Sequence, residues 1–387
     1  MNSLSEANTQ FLFDLFQQFR KSKKNNIFYS PISITTALGM VLLGAKENTA
    51  QQINKVLHFD QVTETEKAAT YQVDKSGNVH QQFQKLLTEL NKSTDAYELK
   101  IANKLFGEKM YQFLKEYLDA IKKYYQTSVE SVDFVEDPEE SRKKINSWVE
   151  SQTNEKIKNL FPDQSINRMT KLVLVNAIYF KGQWETKFNK EDTKEEKFWP
   201  NKNTSKPVHM MRQYTFFHFA LLEDVQAKVL EIPYKANDLS MIVLLPNETD
   251  GLQKLEEKLT AEKLMKWTSL QNMRKVDVNL RLPRFKVEEA YDLKDTLRTM
   301  GMVDVFSDAD LSGMAGSRNL VISKVLHKAF VEVTEEGAEA TAATGVTTGI
   351  TSPPPTNEEF HCNHPFLFFI RQNKTNSILF FGRFSSP

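Results

Sequence analysis

The sequence predicts a mixed α+β fold in which helices pack on large, mainly antiparallel sheets. Apolar residues recur at helical spacing in the first part of the chain, and strand-like runs dominate beyond about residue 170. The runs 172–175 and 366–370 are apolar throughout, which is typical of strands in sheets covered on both faces. No Pro/Gly/Ser-rich linker divides the 387 residues, so we expect one domain over 1–387.

Start signals locate the main helices of the first part. Ser30 ends a short strand over 26–30 and precedes Pro31, the order expected where a helix begins. Asp137 and Pro138 repeat that order ahead of an apolar stripe. Both positions therefore predict helix starts.

Strand-like runs fill the second part of the chain. They extend over 172–180, 227–234, 239–245, 276–287, 327–333, 365–372 and 377–384. The charged stretch 60–79, by contrast, lacks a useful apolar period, so we expect a mobile loop there.

Charge and cysteine content restrict the classes of function. The 50 basic and 50 acidic side chains balance and are interspersed, which argues against a nucleic-acid surface or an anionic membrane as partner. No cationic segment followed by an apolar core opens the chain, and no apolar run approaches the roughly 20 residues that cross a bilayer. The single cysteine excludes an internal disulfide and favours a reducing, cytoplasmic setting.

Signals for catalysis and metal binding are weak. Cys362 with His327 and an acid could form a nucleophilic site, but Cys362 adjoins a run of core aromatics and is expected to be a buried apolar residue. His361, Cys362 and His364 offer metal ligands within four residues, yet a turn into the next core strand is the favoured interpretation. We expect no catalytic residue, metal or cofactor.

The stretch 334–344 resembles a strand that has not yet joined a sheet. An extended chain would place Ala338, Ala340, Ala342 and Thr344 on one face, which is wholly small and uncharged. Such a face can be buried inside a sheet, but it has few large apolar groups that favour burial beforehand. The segment can therefore stay exposed to solvent at first and be inserted into a sheet later.

Four motifs, taken together and in this order, resemble those of the serpins. They are NIFYSPISI at 26–34, LVNAIYFKGQW at 174–184, the hinge at 334–344, and HPF at 364–366 with LFFGRF at 379–384. The likeness runs from about residue 3 to the end. The start of the chain and its end, Ser385-Ser386-Pro387, resemble the ovalbumin-like intracellular branch and, within it, the squamous cell carcinoma antigens, although the loop over 345–355 departs from theirs.

This resemblance implies three β-sheets, eight or nine helices and an exposed reactive-centre loop over about 335–357. It also implies a suicide-substrate protease inhibitor rather than an enzyme. A protease cuts the loop, the loop inserts into the main sheet, and the acyl-enzyme is trapped. The cut is expected at Thr351–Ser352 with Ile350 as a subsite residue, and Ile350–Thr351 remains an alternative.

The resemblance also assigns the residues that control insertion. They are the hinge (Glu335, Gly337, Ala338, Ala340, Ala342 and Thr344), the shutter (Ser30, Ser33, Asn176 and His327) and Trp184 at the breach, where the loop first enters. Satisfied core polar groups without a gating role are the alternative for the shutter. Simple core filling is the alternative for Trp184.

The sequence leaves more than one class of target protease and more than one class of function open. A papain-like cysteine protease of the cathepsin type, a serine protease or both are expected in a covalent complex. The alternative is a non-inhibitory serpin that acts as a binding, chaperone-like or storage protein. The protein is expected to be a cytoplasmic monomer with a liability to loop–sheet polymerisation, and unconventional secretion is left open.

Overall fold

Nine α-helices occur in the computed structural model, which describes residues 3–60, 62, 75–337 and 357–387. They are α1 (Ser3–Ser22), α2 (Pro31–Gly44), α3 (Glu47–Val56), α4 (Lys75–Leu90), α5 (Lys115–Tyr125), α6 (Pro138–Gln152), α7 (Leu252–Lys258), α8 (Ala261–Thr268) and α9 (Lys294–Met300). Six of the nine lie before residue 153, and ten of the thirteen strands follow them, as the sequence predicts. Across these described ranges, no helix is both long and apolar enough to span a bilayer.

Both predicted helix starts are confirmed. The Ser30 hydroxyl oxygen accepts a hydrogen bond from the Ser33 backbone N–H at 3.2 Å, and Pro31 occupies the first position of α2. This cap satisfies one of the backbone donors that a helix start leaves unpaired. Helix α6 begins at Pro138 directly after Asp137.

The loop predicted over 60–79 is wrong at its far end, because α4 already begins at Lys75. Val79, Phe83, Leu87 and Leu90 are buried at successive spacings of four, four and three residues. That spacing keeps them on one helix face, and the charged residues ahead of Val79 hid the period in the sequence. Residues 61 and 63–74 lie outside the part of the chain that the structure describes.

Thirteen strands are present in the described ranges. They are β1 (Ile27–Tyr29), β2 (Tyr97–Glu108), β3 (Val129–Val132), β4 (Leu172–Gly182), β5 (Lys194–Phe198), β6 (Lys206–Leu222), β7 (Ala227–Pro233), β8 (Leu239–Pro246), β9 (Arg274–Asp292), β10 (Lys324–Val333), β11 (Glu358–His361), β12 (Phe366–Gln372) and β13 (Ser377–Phe384). The sequence missed β2, β3, β5, β6 and β11.

The strands form three sheet regions joined through two long strands. The main sheet has the order β3-β2-β4-β10-β9 and uses the second half of β9. The first half of β9 pairs with β6 and β11, and β5 pairs with β6. The end of β6 continues through β7, β8, β12 and β13 to β1. Most pairings are antiparallel, which confirms the predicted α+β architecture, and in the described ranges the three regions are linked into one thirteen-stranded sheet.

Strands β4 and β10 are an exception, because they run parallel as direct neighbours. Their register extends from Lys324 opposite Val173 to Glu332 opposite Lys181. One face of this pair packs into the large core beside α1, α2 and β13, and the other packs with residues of α6 in a second core. Coverage on both faces explains why Leu172–Val175 is apolar throughout.

Candidate functional site: the seam between β4 and β10

The line along which β4 and β10 pair is here called the seam. A polar cluster crosses it on the face that packs against α2. The His327 Nδ1–H donates to Asn176 Oδ1 at 2.6 Å, which links the two strands at opposite register positions. Asn176 Nδ2 donates to the Ser33 hydroxyl at 2.7 Å, and the Ser30 backbone N–H donates to His327 Nε2 at 3.1 Å. The structure thus joins all four predicted shutter residues in one buried network.

Burial sets the protonation state of this network. His327 is fully buried, and the loss of hydration lowers its pKa from 6.5 to about 3. A neutral ring is also what the bonds require, since Nε2 must accept while Nδ1 donates. The Tyr291 ring stacks on the imidazole at 6.1 Å between centroids and covers it from β9.

A second link crosses the seam on the opposite face, and sequence reasoning missed it. The Tyr179 hydroxyl of β4 donates to Glu332 Oε2 of β10 at 2.9 Å, and the Tyr179 ring meets the Phe330 ring edge-on at 5.3 Å. Lys156, Lys181 and Lys286 approach the Glu332 carboxylate to between 3.7 and 4.0 Å. Only the alternation of β4 could have signalled this, since it puts Tyr179 on the face opposite Asn176.

At the upper end of the seam, the chain leaving β10 passes Trp184. The Trp184 backbone N–H donates to the Glu336 carbonyl at 3.1 Å, and its indole N–H donates to the Thr334 carbonyl at 2.7 Å. A Cβ on Gly337 would lie 2.7 Å from the Trp184 carbonyl oxygen, so only glycine fits this close approach. Tyr234 stacks flat on the indole at 4.5 Å, a partner that the sequence did not reveal.

Glu335 holds this outgoing chain to the neighbouring strands. Its side chain is buried, and Oε2 accepts from the Thr193 hydroxyl at 2.8 Å and pairs with Arg284 of β9 at 3.4 Å. The Phe188 backbone N–H donates to the Glu335 carbonyl at 3.0 Å. Trp184, Glu335 and Gly337 are therefore brought together, and the role of Trp184 at the breach stays a prediction.

The remaining predicted loop residues lie outside the described ranges. They are the hinge positions Ala338, Ala340, Ala342 and Thr344, the subsite residue Ile350, and the bond Thr351–Ser352. The described chain ends at Gly337 on one side and resumes at Asn357, directly before β11.

The weak catalytic and metal signals at 361–364 resolve into core packing. Cys362 is completely buried, and burial raises the pKa of its thiol well above the usual range. His364 Nε2–H donates to the Pro246 carbonyl at 2.6 Å, so that ring closes a turn into β12. Among the described residues, no group of three ligating side chains could hold a metal ion.

Comparison with known proteins agrees with this architecture. The family model for serpins, described as "serine protease inhibitor", matches residues 6–387. Serpin B3 and Serpin B4 of Homo sapiens are 84% and 83% identical to the chain, with all of each chain covered. The crystal structure of uncleaved ovalbumin superposes with a TM-score of 0.91 at 41% identity, also with both chains fully covered.

The chain therefore belongs to the serpin family. Its similarity to Serpin B3 and Serpin B4 confirms the predicted likeness to the squamous cell carcinoma antigens of the ovalbumin-like branch. The predicted serpin fold is confirmed as well.

Proposed function

We propose that this serpin inhibits proteases as a suicide substrate whose cleaved loop enters the seam. The observation that carries the proposal is the parallel pairing of β4 and β10, with the chain that leaves β10 held at the upper end of that same seam. If the chain turned back after leaving β10 and entered the seam as a strand, that strand would run antiparallel to both β4 and β10. It would complete a sheet in which antiparallel pairing otherwise predominates.

The protease supplies the catalytic groups, and this protein supplies the peptide bond that is cut. The protease hydroxyl or thiolate attacks the Thr351 carbonyl, the Thr351–Ser352 amide breaks, and the Ser352 amine leaves with a proton from the protease's catalytic acid. Thr351 is left as an ester or thioester on the protease. Hydrolysis by water would release the protease, and insertion stalls that step by pulling on the acyl group.

The register of the inserted loop against β4 can be counted residue by residue. If the returning strand places Ala338 opposite Trp184, each further residue moves one position back along β4. Ala342 then falls opposite Phe180, which points into the large core, and Thr351 falls opposite Lys171, the residue directly before β4. This count supports burial of the small, uncharged hinge face.

Energetics favour insertion once the loop is cut. The entering strand replaces one ladder of hydrogen bonds by two, and each added bond contributes about 0.5 to 1.5 kcal/mol net. Roughly a dozen bonds therefore give on the order of 10 kcal/mol before the entropy of ordering is subtracted. The links at Asn176–His327 and Tyr179–Glu332 must break first, so they form part of the barrier that keeps the uncut form intact.

Gly345 and Gly349 reduce the free energy gained on insertion. Glycine in a strand interior costs roughly 0.5 to 1 kcal/mol relative to alanine. Insertion should be slower than with bulkier residues at those positions, and a larger share of molecules should be cut without trapping the protease.

The proposal is tested by incubating the protein with a panel of serine and cysteine proteases and separating the products under denaturing conditions. A denaturant-resistant adduct with the mass of protease plus the fragment ending at Thr351 is expected. The fragment that begins at Ser352 should be released. Cleavage by every protease without any adduct would instead favour a non-inhibitory binding, chaperone-like or storage role.

Target preference is proposed from the two residues before the cut. Papain-like proteases read the residue preceding the cut position, here Ile350, whereas elastase-like serine proteases read the residue at the cut, Thr351. Filling an apolar pocket with isoleucine contributes roughly 1.5 to 3 kcal/mol, more than a small threonine can gain. Cathepsin-type targets are therefore favoured.

Two variants separate these classes. Ile350→Asp should slow association with a cysteine protease, and Thr351→Asp should slow association with a serine protease. The association rate of each variant is measured with one cysteine protease and with one serine protease. An unchanged cysteine-protease rate for Ile350→Asp would overturn the preference. A parent that reacts measurably only with the serine protease would also overturn it.

Partners and location are proposed on the same basis. The working form is a monomer that becomes covalently bound to one protease, and its location is cytoplasmic, as expected for the ovalbumin-like branch. No nucleic acid, membrane or cofactor takes part. Size-exclusion chromatography coupled to light scattering would reveal a different assembly state.

A further inference from the structure

A cleft of about 480 Å³ opens beside strand β6, where one edge of that strand has no partner strand in the described ranges. Strand β5 pairs with β6 only as far as Met210, and β7 takes over the same edge at His218. Over 211–217, the described strands pair with β6 only on the other edge, through β9. The volume is in the range that holds a small organic molecule. This space is called the β6 cleft, and the residues that line it include Glu185, Gln213, Phe216, Glu231, Ile232 and Lys275.

The lining of the β6 cleft contains a buried hydrogen-bond acceptor that is left unpaired. Gln213 Nε2 donates to the Thr186 carbonyl at 2.9 Å and to the Lys187 carbonyl at 2.8 Å. These two bonds identify the nitrogen end of the amide and thereby fix the position of Oε1. In the described part of the chain no donor pairs with Gln213 Oε1, although that atom is buried. Its uncompensated partial negative charge favours a positively charged ligand in the cleft.

Two carboxylates also line the cleft, and they differ in how their charge is balanced. Glu231 is buried and accepts from His218 Nδ1 and from Arg371 Nη2, each at 3.1 Å, so Arg371 balances its charge. Glu185 is exposed, and in the described ranges its Oε2 accepts only from the Ala236 N–H, at 3.0 Å. Ala236 makes that bond from a left-handed conformation with a φ of 67°. Glu185 therefore keeps its negative charge available to a ligand.

An aromatic ring lies open in the same cleft. Phe216 is 57% exposed although its side chain is large and apolar, and Ile232 and Pro233 add apolar surface to the lining. An aromatic face attracts a cation that comes within about 6 Å of the ring centre, and a flat apolar group can also pack on it. A carboxylate together with an aromatic face suits a ligand that carries a positive charge on an apolar body.

We propose that the β6 cleft binds a primary amine with an aromatic body, that is, an arylalkylamine. The ammonium group pairs with Glu185, and the aromatic body packs on Phe216. Exposed Lys275 also lines the cleft, so it repels a cationic ligand and lowers the affinity. Removing the charge of Glu185 and removing that of Lys275 should therefore shift the affinity in opposite directions. The site uses neither the seam nor the reactive-centre loop, so its test is independent of the proposed function.

Three indole probes of similar shape test the charge requirement. Tryptamine carries an ammonium group at neutral pH, tryptophol carries a hydroxyl group on the same two-carbon chain, and indole-3-propionate carries a carboxylate. In isothermal titration calorimetry with the full chain, tryptamine should bind roughly tenfold more tightly than tryptophol, and indole-3-propionate should bind more weakly still. Added salt should narrow this difference, because it screens the ion pair with exposed Glu185. Equal affinities, or no binding of tryptamine, would overturn the proposal.

Variants of the two unpaired lining charges locate the bound amine. Glu185→Gln keeps the side-chain length and an acceptor for Ala236 but removes the charge, so tryptamine should bind roughly tenfold more weakly. Lys275→Gln should bind tryptamine roughly threefold more tightly. Neither variant should change the affinity for uncharged tryptophol. The matched control is Glu223→Gln, which removes an exposed carboxylate in the turn after β6, outside the cleft, and should leave all three affinities unchanged.

Phe216→Ala tests the contact with the apolar body. It should weaken the binding of tryptamine and of tryptophol by roughly threefold to tenfold, because both lose the aromatic surface. Leu221→Ala is its control and removes another exposed apolar side chain of β6, which is 48% exposed. All the replaced side chains are exposed, so the variants should unfold at nearly the same temperature as the parent. Unchanged tryptamine binding in Glu185→Gln or in Phe216→Ala would place the amine elsewhere and refute the assignment of this cleft.

Discussion

At the scale of single residues, burial has its clearest effect at His327, whose imidazole it keeps neutral. Its neutral ring accepts a hydrogen bond from the Ser30 backbone and donates one to Asn176, so it joins α2, β4 and β10. A proton added at Nε2 would place two N–H groups against each other. The seam should therefore weaken when His327 becomes charged.

Acid should loosen the protein through His327. Its folded pKa of about 3 lies below the ordinary value of about 6.5, so the unfolded or opened chain binds the extra proton more readily. The stabilisation is fully present above about pH 6.5 and is lost, at up to about 1.4 kcal/mol per pH unit, as pH falls towards 3. Unfolding midpoints in denaturant, measured from pH 7.5 to 4.5, should fall more steeply for the parent than for His327→Gln. Parallel slopes would contradict this role.

Residue identities at the seam were only partly predictable. Ser30, Ser33, Asn176, His327, Trp184 and Glu335 were identified through family motifs, and the structure brings each group together. Tyr179 and Glu332 were not, because a contact across parallel strands depends on their register. The alternation of β4 shows which face Tyr179 occupies, but its partner depends on pairing with a strand 153 residues further along the chain.

At the scale of elements, the contact between β4 and β10 should limit how fast the sheet opens for the proposed insertion. Tyr179→Phe removes the hydroxyl bond to the Glu332 carboxylate, worth about 1.5 to 3 kcal/mol, and should raise the rate of opening by at least about tenfold. Polymer formation on mild heating reports that rate. Tyr124→Phe, on α5 and outside the main sheet, is the control. Equal rates for Tyr179→Phe and the parent would show that this link does not restrain the seam.

Insertion of the hinge should depend on which face a charge occupies. Ala342→Arg would bring a long cation opposite Phe180 inside the core, and the cost of removing its water should block entry. Proteases should continue to cut the loop while adduct yield falls at least about tenfold. Thr341→Arg, which the same count places opposite half-buried Lys181 on the other face, should lose less. An undiminished adduct yield for Ala342→Arg would refute the alternating-face argument.

Element boundaries show where local sequence patterns fail. Strands β4, β12 and β13 were predicted because their apolar residues are continuous and both faces are buried. Strand β2 was missed because much of it is only half-buried, and β6 because its alternation is irregular. Their stability comes from cross-strand partners distant in sequence, which local propensity does not report.

At the scale of the whole molecule, the uncut protein is expected to be held by a barrier rather than by the lowest free energy. Cleavage within the loop should therefore raise the midpoint of heat unfolding, by on the order of 10 °C, because the inserted strand completes the main sheet. Scanning calorimetry of the intact and cut protein, at one scan rate, measures the difference. A cut protein that melts at or below the intact one would exclude insertion.

A reversible bridge across the seam tests the central claim most directly. Lys181 and Glu332 are register partners on neighbouring strands, so Lys181→Cys with Glu332→Cys places two thiols where a disulfide can form. The native Cys362 is buried and should not compete. The measured quantity is adduct yield with one serine protease, before and after reduction of the bridge. The account predicts that the oxidised protein is cut without trapping and that reduction restores the adduct. Equal yields with the bridge verified intact would show that the loop does not enter between β4 and β10.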